Sequence, residues 1–218
     1  MSESLCRVSA FDLDHTLIKK NTSALFYYYM IKKGVFHPTA VVRSLAYSFR
    51  HRFFNLGIKQ VHEQVFEKFL KGMSLAFLNE HVQAFLKEDF FKYIYYPAFK
   101  ELRQAQYGGH YTVILSASPS FLVGAIAEYF GVFHWSSSEY RLDEEGRLSC
   151  IDSVLLGDEK ADYIHKLVKK LNTDVSLVTA YSDSIVDLPF LLSAGKGVVV
   201  NPKKTMRQMS QKYKFEVI

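Results

Sequence analysis

Residues 7–20 have the sequence RVSAFDLDHTLIKK, in which a short apolar run ends in two aspartates, Asp12 and Asp14. Residues 6–12 have the length and composition of a strand that is covered on both faces. Carboxylates are costly to bury without partners, so an ordinary core strand seldom ends in two of them. The pattern therefore predicts a buried strand whose carboxyl end lies at a functional site.

Two regions with different sequence patterns follow this strand along the chain. Residues 21–95 contain no comparable strand and predict helices. Asn21 and Ser74 suit the N-caps of helices reaching about residues 34 and 87, and Pro38 suits the start of one ending near 57. From Pro97 onwards, strands are predicted to alternate with helices. We expect strands at 111–117, 132–137, 174–182 and 197–201, and helices at 97–107, 120–130, 158–171 and just after 183.

This alternation predicts an α/β fold, a three-layer Rossmann-like open parallel sheet with helices on both faces. The tetrapeptide DEEG at 143–146 adds a hairpin turn. The helical stretch between the first two strands is too long for a simple crossover, so we interpret it as an inserted, all-helical cap. The predicted division is a core of residues 1–18 and 96–218 and a cap of residues 19–95.

The positive charge of the chain is concentrated in the predicted cap. The chain has 218 residues and a net charge of +5, yet residues 15–62 contain eight Lys or Arg, nine Phe or Tyr, and no Asp or Glu. The aromatics could pack inside the cap while the lysines face water. Alternatively, residues 19–62 could form a basic aromatic face that associates peripherally with an anionic membrane. Both interpretations stay open at this point.

Cysteine spacing favours a reducing compartment, and hydropathy indicates neither a signal peptide nor a membrane span. Cys6 and Cys150 are far apart and show neither disulfide nor metal-ligand spacing. No basic segment followed by an apolar stretch precedes Asp12, and the uncharged stretch at 110–127 is interrupted by SASPS. We therefore expect a cytoplasmic protein without a signal peptide or membrane span.

Polar side chains follow the predicted core strands at the points where ligands bind in open parallel sheets. Carboxylates gathered there would repel one another, by up to about 4 kcal/mol for each close pair. A divalent cation would offset that repulsion, and oxygen ligands with a phosphate substrate favour Mg²⁺. Two aspartates at positions i and i+2 could then supply a nucleophile and a general acid/base for phosphoryl transfer. The clusters are Asp12 with Asp14, Ser116 with Ser118, Lys160, and Asp183 with Asp187.

Four motifs in this order resemble those of the haloacid dehalogenase superfamily of phosphatases. They are FDLDHT (11–16), VILSAS (113–118), GDEKADYI (157–164) and YSDSIVDLPFL (181–191). Because the predicted cap lies between the first and second motifs, the chain is most similar to the phosphoserine-phosphatase-like subfamily, also called subfamily IB. The resemblance spans about residues 7–202.

The resemblance implies a Mg²⁺-dependent phosphomonoester hydrolase that forms an aspartyl-phosphate, acting on a small-molecule or lipid phosphate. By position, Asp12 would be the nucleophile, and Asp14 the general acid/base that lends its backbone carbonyl to the metal. The remaining implied roles are phosphoryl binding for Ser116 and Ala117, charge neutralisation for Lys160, metal ligation for Asp12, Asp14, Asp183 and Asp187, and support of the loop for Thr16. For Asp187, the alternative is that it contacts the metal ligands without binding the metal itself.

Several alternatives remain at the sequence level. The aspartates and serines could merely cap turns and helices, and Lys160 could be one of several solvated lysines. Ala117, Ser118 and Ser182 stand where phosphoserine phosphatases and many relatives have glycine, which disfavours phosphoserine as the substrate. A phosphatidylglycerophosphate-type lipid phosphatase is a second candidate. A nucleic-acid-binding or scaffold protein is the non-enzymatic alternative, although it would not require acids at adjoining strand ends.

Overall fold

The computed structural model describes residues 5–36, 58–88 and 90–218. Its centre is a seven-stranded sheet with the order β4-β3-β2-β1-β5-β6-β7. Neighbouring strands are parallel, except that β3 and β4 form an antiparallel hairpin at one edge. The strands are β1 (Val8–Phe11), β2 (Tyr111–Pro119), β3 (His134–Leu142), β4 (Leu148–Ser153), β5 (Val178–Ser182), β6 (Lys196–Val199) and β7 (Glu216–Val217).

Helices cover both faces of this sheet. They are α1 (Thr22–Lys32), α2 (Ile58–Val65), α3 (Leu75–Lys87), α4 (Tyr96–Tyr107), α5 (Ser120–Tyr129), α6 (Gly157–Lys170), α7 (Leu188–Leu192) and α8 (Lys204–Tyr213). A π-helical turn, Phe66–Leu70, follows α2, and short 3-10 turns lie at Phe90–Tyr93, Val175–Leu177 and Ile185–Asp187. The predicted helix at 38–57 lies outside the described residues.

The alternating side chains of β1 explain why the sheet needs a layer on each side. Phe11 is buried in a hydrophobic cluster on one face, whereas Val8 and Ala10 are buried in a second cluster on the other. The first cluster includes residues of α1, α3 and α5, and the second includes residues of α6, α7 and α8. Because successive side chains of a strand point to opposite faces, both layers are required to cover it. The predicted three-layer α/β fold is confirmed.

The helices at residues 22–93 share the first cluster with the sheet. Phe26 of α1 makes edge contacts with Phe85 of α3 and Phe121 of α5, at ring-centroid distances of 5.8 and 6.2 Å. Aromatic pairs of this kind add about 0.5–1.5 kcal/mol beyond their buried area. Helix α1 therefore packs against α3 and α5 in the first cluster. The exact division into a core and a cap stays a prediction.

Local capping chemistry agrees with the sequence at the two predicted N-caps. The Asn21 side chain accepts a hydrogen bond from the Ala24 amide at the start of α1, and the Ser74 hydroxyl accepts one from the Phe77 amide at the start of α3. Caps of this type typically stabilise a helix by about 1 kcal/mol. The predictions that Asn21 and Ser74 begin helices are confirmed.

Other boundaries differ from the predictions for identifiable reasons. The strand predicted at 174–182 begins only at Val178, because Asp174 accepts a hydrogen bond from the Ser176 amide and caps a 3-10 turn. Helix α8 and strand β7 were not predicted. Only Met206 and Ser210 of α8 are buried, so few apolar residues mark it as a core helix, and β7 has only two residues. Within the described part of the chain, no helix has the length and apolar content needed to cross a bilayer.

Candidate active site

The predicted site residues lie at one edge of the sheet because three neighbouring parallel strands end there. Strand β1 lies between β2 and β5 and is parallel to both. Asp12 follows β1, Ser116 is in the last part of β2, and Asp183 follows β5. The carboxyl ends of the central strands thus deliver an acid, a hydroxyl and a second acid to the same crevice.

Asp12 is almost completely enclosed, with 5% of its surface exposed, as is Asp187 with 4%. Its backbone amide donates to the Tyr181 carbonyl at 2.9 Å and continues the pairing with β5. Its Oδ1 accepts a hydrogen bond from Lys160 Nζ at 2.7 Å, and its Oδ2 accepts one from Thr16 Oγ1 at 3.0 Å. The same Thr16 hydroxyl oxygen accepts the backbone N–H of Asp183 at 3.1 Å. Thr16 therefore connects the ends of β1 and β5.

Lys160 reaches Asp12 from the first turn of α6. Its ammonium group also donates to Asp187 Oδ2 at 2.8 Å, and the Ser182 hydroxyl donates to the same oxygen at 2.7 Å. Helix α6 can lie this close because it begins with glycine. A Cβ atom on Gly157 would stand 1.9 Å from the Val186 carbonyl oxygen. The glycine thus allows the helix that carries Lys160 to pack against the turn that carries Asp187.

The electrostatics of this cluster are dominated by burial. Burial raises the pKa of Asp12 to about 8, although the nearby Lys160 ammonium opposes the shift. Burial alone would lower the pKa of Lys160, but attraction to Asp12 and Asp187 raises it above its usual range. Burial also raises the pKa of Asp183, while His15 and Lys203 oppose the shift. Three acids around one ammonium group leave the site short of positive charge.

The oxygen donors here fit Mg²⁺ better than they fit a metal that needs many protein ligands. Among the described residues, no group of three or more His, Cys, Asp or Glu side chains is arranged to hold a metal ion. Mg²⁺ typically uses one or two carboxylates together with waters and phosphate oxygens. Asp12 and Asp183 could supply those carboxylates, and the Asp183 carboxylate accepts no hydrogen bond from any residue that the structure describes. Asp187 differs, because one of its oxygens already accepts from Lys160 and Ser182.

The Asp14 side chain is directed towards the start of helix α1. Its Oδ1 accepts the backbone N–H and the hydroxyl of Thr22 at 2.8 and 2.6 Å. Its Oδ2 accepts from Asn21 Nδ2 at 2.9 Å and from the Ser118 hydroxyl at 2.8 Å. A carboxylate at a helix N-terminus is stabilised by the exposed N–H groups and the helix dipole. The first helix after β1 is therefore anchored directly to Asp14.

The end of β2 supplies the predicted phosphate-binding residues. Ser116 is fully buried, and its Oγ accepts the backbone N–H of Ser118 at 3.1 Å. This bond uses a lone pair of the hydroxyl, so the hydroxyl hydrogen is still available for donation. The Ala117 carbonyl accepts from the Ser138 hydroxyl at 2.7 Å, and Ser138 Oγ accepts the Leu155 amide at 3.2 Å. These bonds fix the backbone around Ser116.

The sequence predicted no catalytic or binding role for several residues that line the site. Asn21, Thr22 and Ser118 hold Asp14, and Ser182 holds Asp187. The serines at 118 and 182 did carry a signal, because both stand where glycine is usual in the related phosphatases. Asn21 was predicted only as a helix N-cap, and no sequence signal marked Thr22, so neither contact with Asp14 was indicated.

The chain is similar in sequence to known hydrolases and phosphatases. The family model for haloacid dehalogenase-like hydrolases matches residues 10–192. A Streptomyces azureus protein named for inhibition of morphological differentiation is 28% identical over 95% of this chain and 76% of its own length. A probable phosphatase of Mycobacterium tuberculosis is 26% identical over 91% of this chain and 70% of its own. A histidinol-phosphatase of Neisseria meningitidis is 25% identical over 97% of each chain.

Solved structures show the same fold. A Bordetella pertussis protein of unknown function superimposes with a TM-score of 0.85, 22% identity and 99% coverage of both chains. A phosphoserine phosphatase, solved as an analogue of its phospho-aspartyl intermediate, gives a TM-score of 0.66 and 15% identity over 98% of this chain and 93% of its own. The phosphoserine-phosphatase-like fold inferred from the four motifs is thereby confirmed. The chain belongs to the haloacid dehalogenase-like hydrolase family.

Proposed function

We propose that this hydrolase is a Mg²⁺-dependent phosphatase that cleaves phosphomonoesters through an aspartyl-phosphate on Asp12. The observation that carries the proposal is the buried Asp12 carboxylate, held 2.7 Å from Lys160 Nζ at the end of the central strand. Membership of a hydrolase family and relatives named as phosphatases support the same reaction. The nucleic-acid-binding and scaffold alternatives have no comparable support.

In the first step, an Asp12 oxygen forms a bond to phosphorus and the bond to the leaving oxygen breaks. Asp14, in its protonated form, gives its proton to that leaving oxygen, and the product alcohol departs. In the second step, the Asp14 carboxylate removes a proton from water. The resulting hydroxide attacks phosphorus, the Asp12–phosphorus linkage breaks, and inorganic phosphate leaves. Both aspartates then return to their starting protonation states.

The neighbouring residues stabilise charge in these steps. Lys160 would offset the charge of Asp12 and of the transferring phosphoryl group, and the free Ser116 hydrogen and backbone near Ala117 would bind its oxygens. Mg²⁺, held by Asp12, Asp183 and the Asp14 carbonyl, would supply further positive charge to the phosphoryl oxygens. We assign Asp187 to orienting Lys160 instead of binding metal, because its Oδ2 accepts from both Lys160 and Ser182.

We further propose that residues 19–95 act as the cap that selects the substrate, and that the substrate is a small phosphate ester. Four of the five described aromatics at 22–36 pack against other rings: Phe26, Tyr27, Tyr29 and Phe36. Only Tyr28, with 65% of its surface exposed, faces outwards. This arrangement favours the packing interpretation over a membrane-binding face. The other four aromatics of the basic segment, at residues 47–54, lie outside the described residues.

The reaction is tested with p-nitrophenyl phosphate in the presence and absence of Mg²⁺. We expect Mg²⁺-dependent turnover, and a loss on the order of 10⁴-fold in Asp12→Asn. Asp162→Asn, which changes an exposed aspartate of α6, is the matched control and should retain activity. Hydroxylamine, which reacts with acyl phosphates, should trap phosphorylated wild-type protein only. Equal turnover by wild type and Asp12→Asn would refute the nucleophile assignment.

The substrate class is tested with a panel of phosphate esters. Histidinol phosphate and phosphoserine represent the named relatives, and sugar phosphates, nucleotides and a phosphatidylglycerophosphate represent the other classes. We expect the highest kcat/KM for one of the small esters. Co-sedimentation with anionic vesicles at low and high salt tests the alternative. Salt-sensitive vesicle binding together with preferred hydrolysis of the lipid would replace our proposal with a lipid phosphatase.

A further inference from the structure

The carboxylate of Asp14 has all of its acceptor capacity in use. An ionised carboxylate has about four lone-pair sites, and four donors reach this one: the Thr22 amide, the Thr22 hydroxyl, Asn21 Nδ2 and the Ser118 hydroxyl. The donors are neutral and come from two separate parts of the chain. Ser118 is the only one of them contributed by β2, and 3% of its surface is exposed.

The hydroxyl of Ser118 also contacts helix α1. Ser23 Oγ lies 2.9 Å and Thr22 Oγ1 lies 3.1 Å from Ser118 Oγ. Since a serine hydroxyl has one hydrogen, donation from Ser118 to ionised Asp14 requires Ser23 to donate to Ser118. The hydrogen bonds then run in one direction, from Ser23 through Ser118 to Asp14. This chain joins α1, the end of β2 and the loop after β1.

Proton transfer requires this arrangement to change. A protonated Asp14 has a hydrogen to donate and one acceptor site fewer, so at least one of the four donors must release it. The Thr22 amide cannot become an acceptor, and the Asn21 amide group is fixed because its Oδ1 accepts the Ala24 amide. The Thr22 and Ser118 hydroxyls can rotate and accept instead, and Ser118 is the one that is held by β2, outside helix α1. It can therefore serve both protonation states of Asp14.

We propose that Ser118 is a positioning residue that holds Asp14 for proton transfer and couples its orientation to helix α1. This inference rests on the proposed phosphatase function, in which Asp14 is the general acid. Ser118 does not need to touch the phosphoryl group in this role. It acts by keeping the Asp14 carboxyl in one orientation while its proton is given up and regained. Removing its hydroxyl should therefore slow hydrolysis most for substrates whose leaving group has to be protonated.

The test compares two substrates whose leaving groups differ in basicity. Phenolate is the more basic leaving group and needs protonation, whereas p-nitrophenolate departs with little help. The constant kcat/KM reports the first, phosphorylating step for both. In Ser118→Ala we expect kcat/KM for phenyl phosphate to fall by about 10- to 100-fold, a part of the 10²- to 10⁴-fold that general acids typically supply. For p-nitrophenyl phosphate the fall should be less than about threefold.

Two further variants separate positioning from a structural effect. Ser118→Thr keeps a hydroxyl and should restore the wild-type ratio of the two constants. Ser210→Ala is the matched control, because Ser210 is also 3% exposed and its hydroxyl donates to the Arg207 carbonyl of α8. We expect the wild-type ratio in this variant. If Ser118→Ala does not fold, Ser118→Cys, whose thiol is a weaker donor, should show the same selective loss.

The possible outcomes are distinguishable from failure of the proposed function. An equal fall for both substrates in a folded Ser118 variant, or no fall for either, would overturn the positioning role while leaving the phosphatase intact. Full activity of Asp12→Asn would instead overturn the phosphatase mechanism itself. A selective loss for phenyl phosphate, restored by Ser118→Thr, would establish the role of Ser118.

Discussion

Asp12 and Asp14 are separated by a single residue, yet the structure gives them different surroundings. Asp12 is buried and bonded to an ammonium group at 2.7 Å. Asp14 is half-buried and bonded to four neutral donors, three of them from the start of helix α1. Pairing with Lys160 favours the ionised form of Asp12 that attacks phosphorus, against the burial that raises its pKa to about 8. Neutral donors that include rotatable hydroxyls suit a carboxyl that must keep its partners while it gains and loses a proton.

Among the residues around the two aspartates, mutation of Lys160, the cation beside Asp12, should lower turnover most. We expect Lys160→Met to lower turnover by on the order of 10³-fold, because it removes the positive charge beside Asp12 and the phosphoryl group. Steady-state hydrolysis of p-nitrophenyl phosphate measures the effect. Lys166→Met, which changes an exposed lysine of the same helix, is the control. A loss of less than about tenfold would mean that Asp12 does not depend on Lys160.

The pH dependence of stability should depend on the buried Asp12. The pKa of Asp12 rises from 3.8 to about 8 on folding, so between these values the folded protein holds a proton that the unfolded chain has lost. Its contribution is full below 3.8 and is lost as the pH rises towards 8. Urea unfolding in EDTA should therefore show stability falling with pH over this window.

Two additions sharpen that measurement. Asp12→Asn should reduce the pH dependence, and the part that remains should include Asp183, whose pKa burial also raises. Mg²⁺ should also reduce the pH dependence in the wild type, because a bound cation stabilises the ionised carboxylate. A slope as steep in Asp12→Asn as in the wild type would assign the titration to another group.

Mutation of the neutral hydrogen-bond donors to Asp14 should lower activity less. Thr22→Val removes one hydroxyl donor to Asp14 but keeps the backbone N–H, so we expect kcat/KM for phenyl phosphate to fall by about tenfold. Stability should fall by about 1 kcal/mol. Kinetics and urea unfolding measure the two effects, and Thr22→Ser, which keeps the hydroxyl, is the comparison. Equal losses in Thr22→Val and Thr22→Ser would show that the hydroxyl bond is unimportant.

The smallest effect is expected at the exposed end of the same network. Asn21→Ala removes one donor to Asp14 and the N-cap of α1, so stability should fall by about 1 kcal/mol. Turnover should change by less than about threefold, since three donors remain. Ser74→Ala removes the N-cap of α3, which has no contact with Asp14 in the described structure, and should cost similar stability with unchanged turnover. Larger kinetic effects of Asn21→Ala would give Asn21 the role assigned here to Ser118.

Much of this architecture could be predicted from the sequence. Strand β1 and the strands after Pro97 have strong apolar patterns, and Asn21 and Ser74 have clear capping chemistry. The acids and Ser116 were predicted as site residues because they follow strands whose carboxyl ends must share one edge. Lys160 was predicted from its place at the start of a helix. Helix α8 and strand β7 were not predicted, because α8 has few buried residues and β7 has only two residues in all.

The contacts within the site were harder to predict, because they join residues that are distant in sequence. Ser118 and Asp14 are 104 positions apart, and Lys160 and Asp12 are 148 apart. Nothing local to Gly157 shows that an added Cβ atom would collide with the Val186 carbonyl. Likewise, the preference of Asp187 for Lys160 and Ser182 depends on how α6 packs against the turn after β5.

The sequence by itself determined that strands of a parallel sheet end in acids and hydroxyls and that a lysine stands at the start of a later helix, since hydrophobic period and residue type are local properties. Only the tertiary structure decided which of two neighbouring aspartates meets the lysine and which meets the serine and helix α1. That choice depends on side-chain direction at the end of β1 and on the packing of distant helices, which set distance, burial and therefore charge.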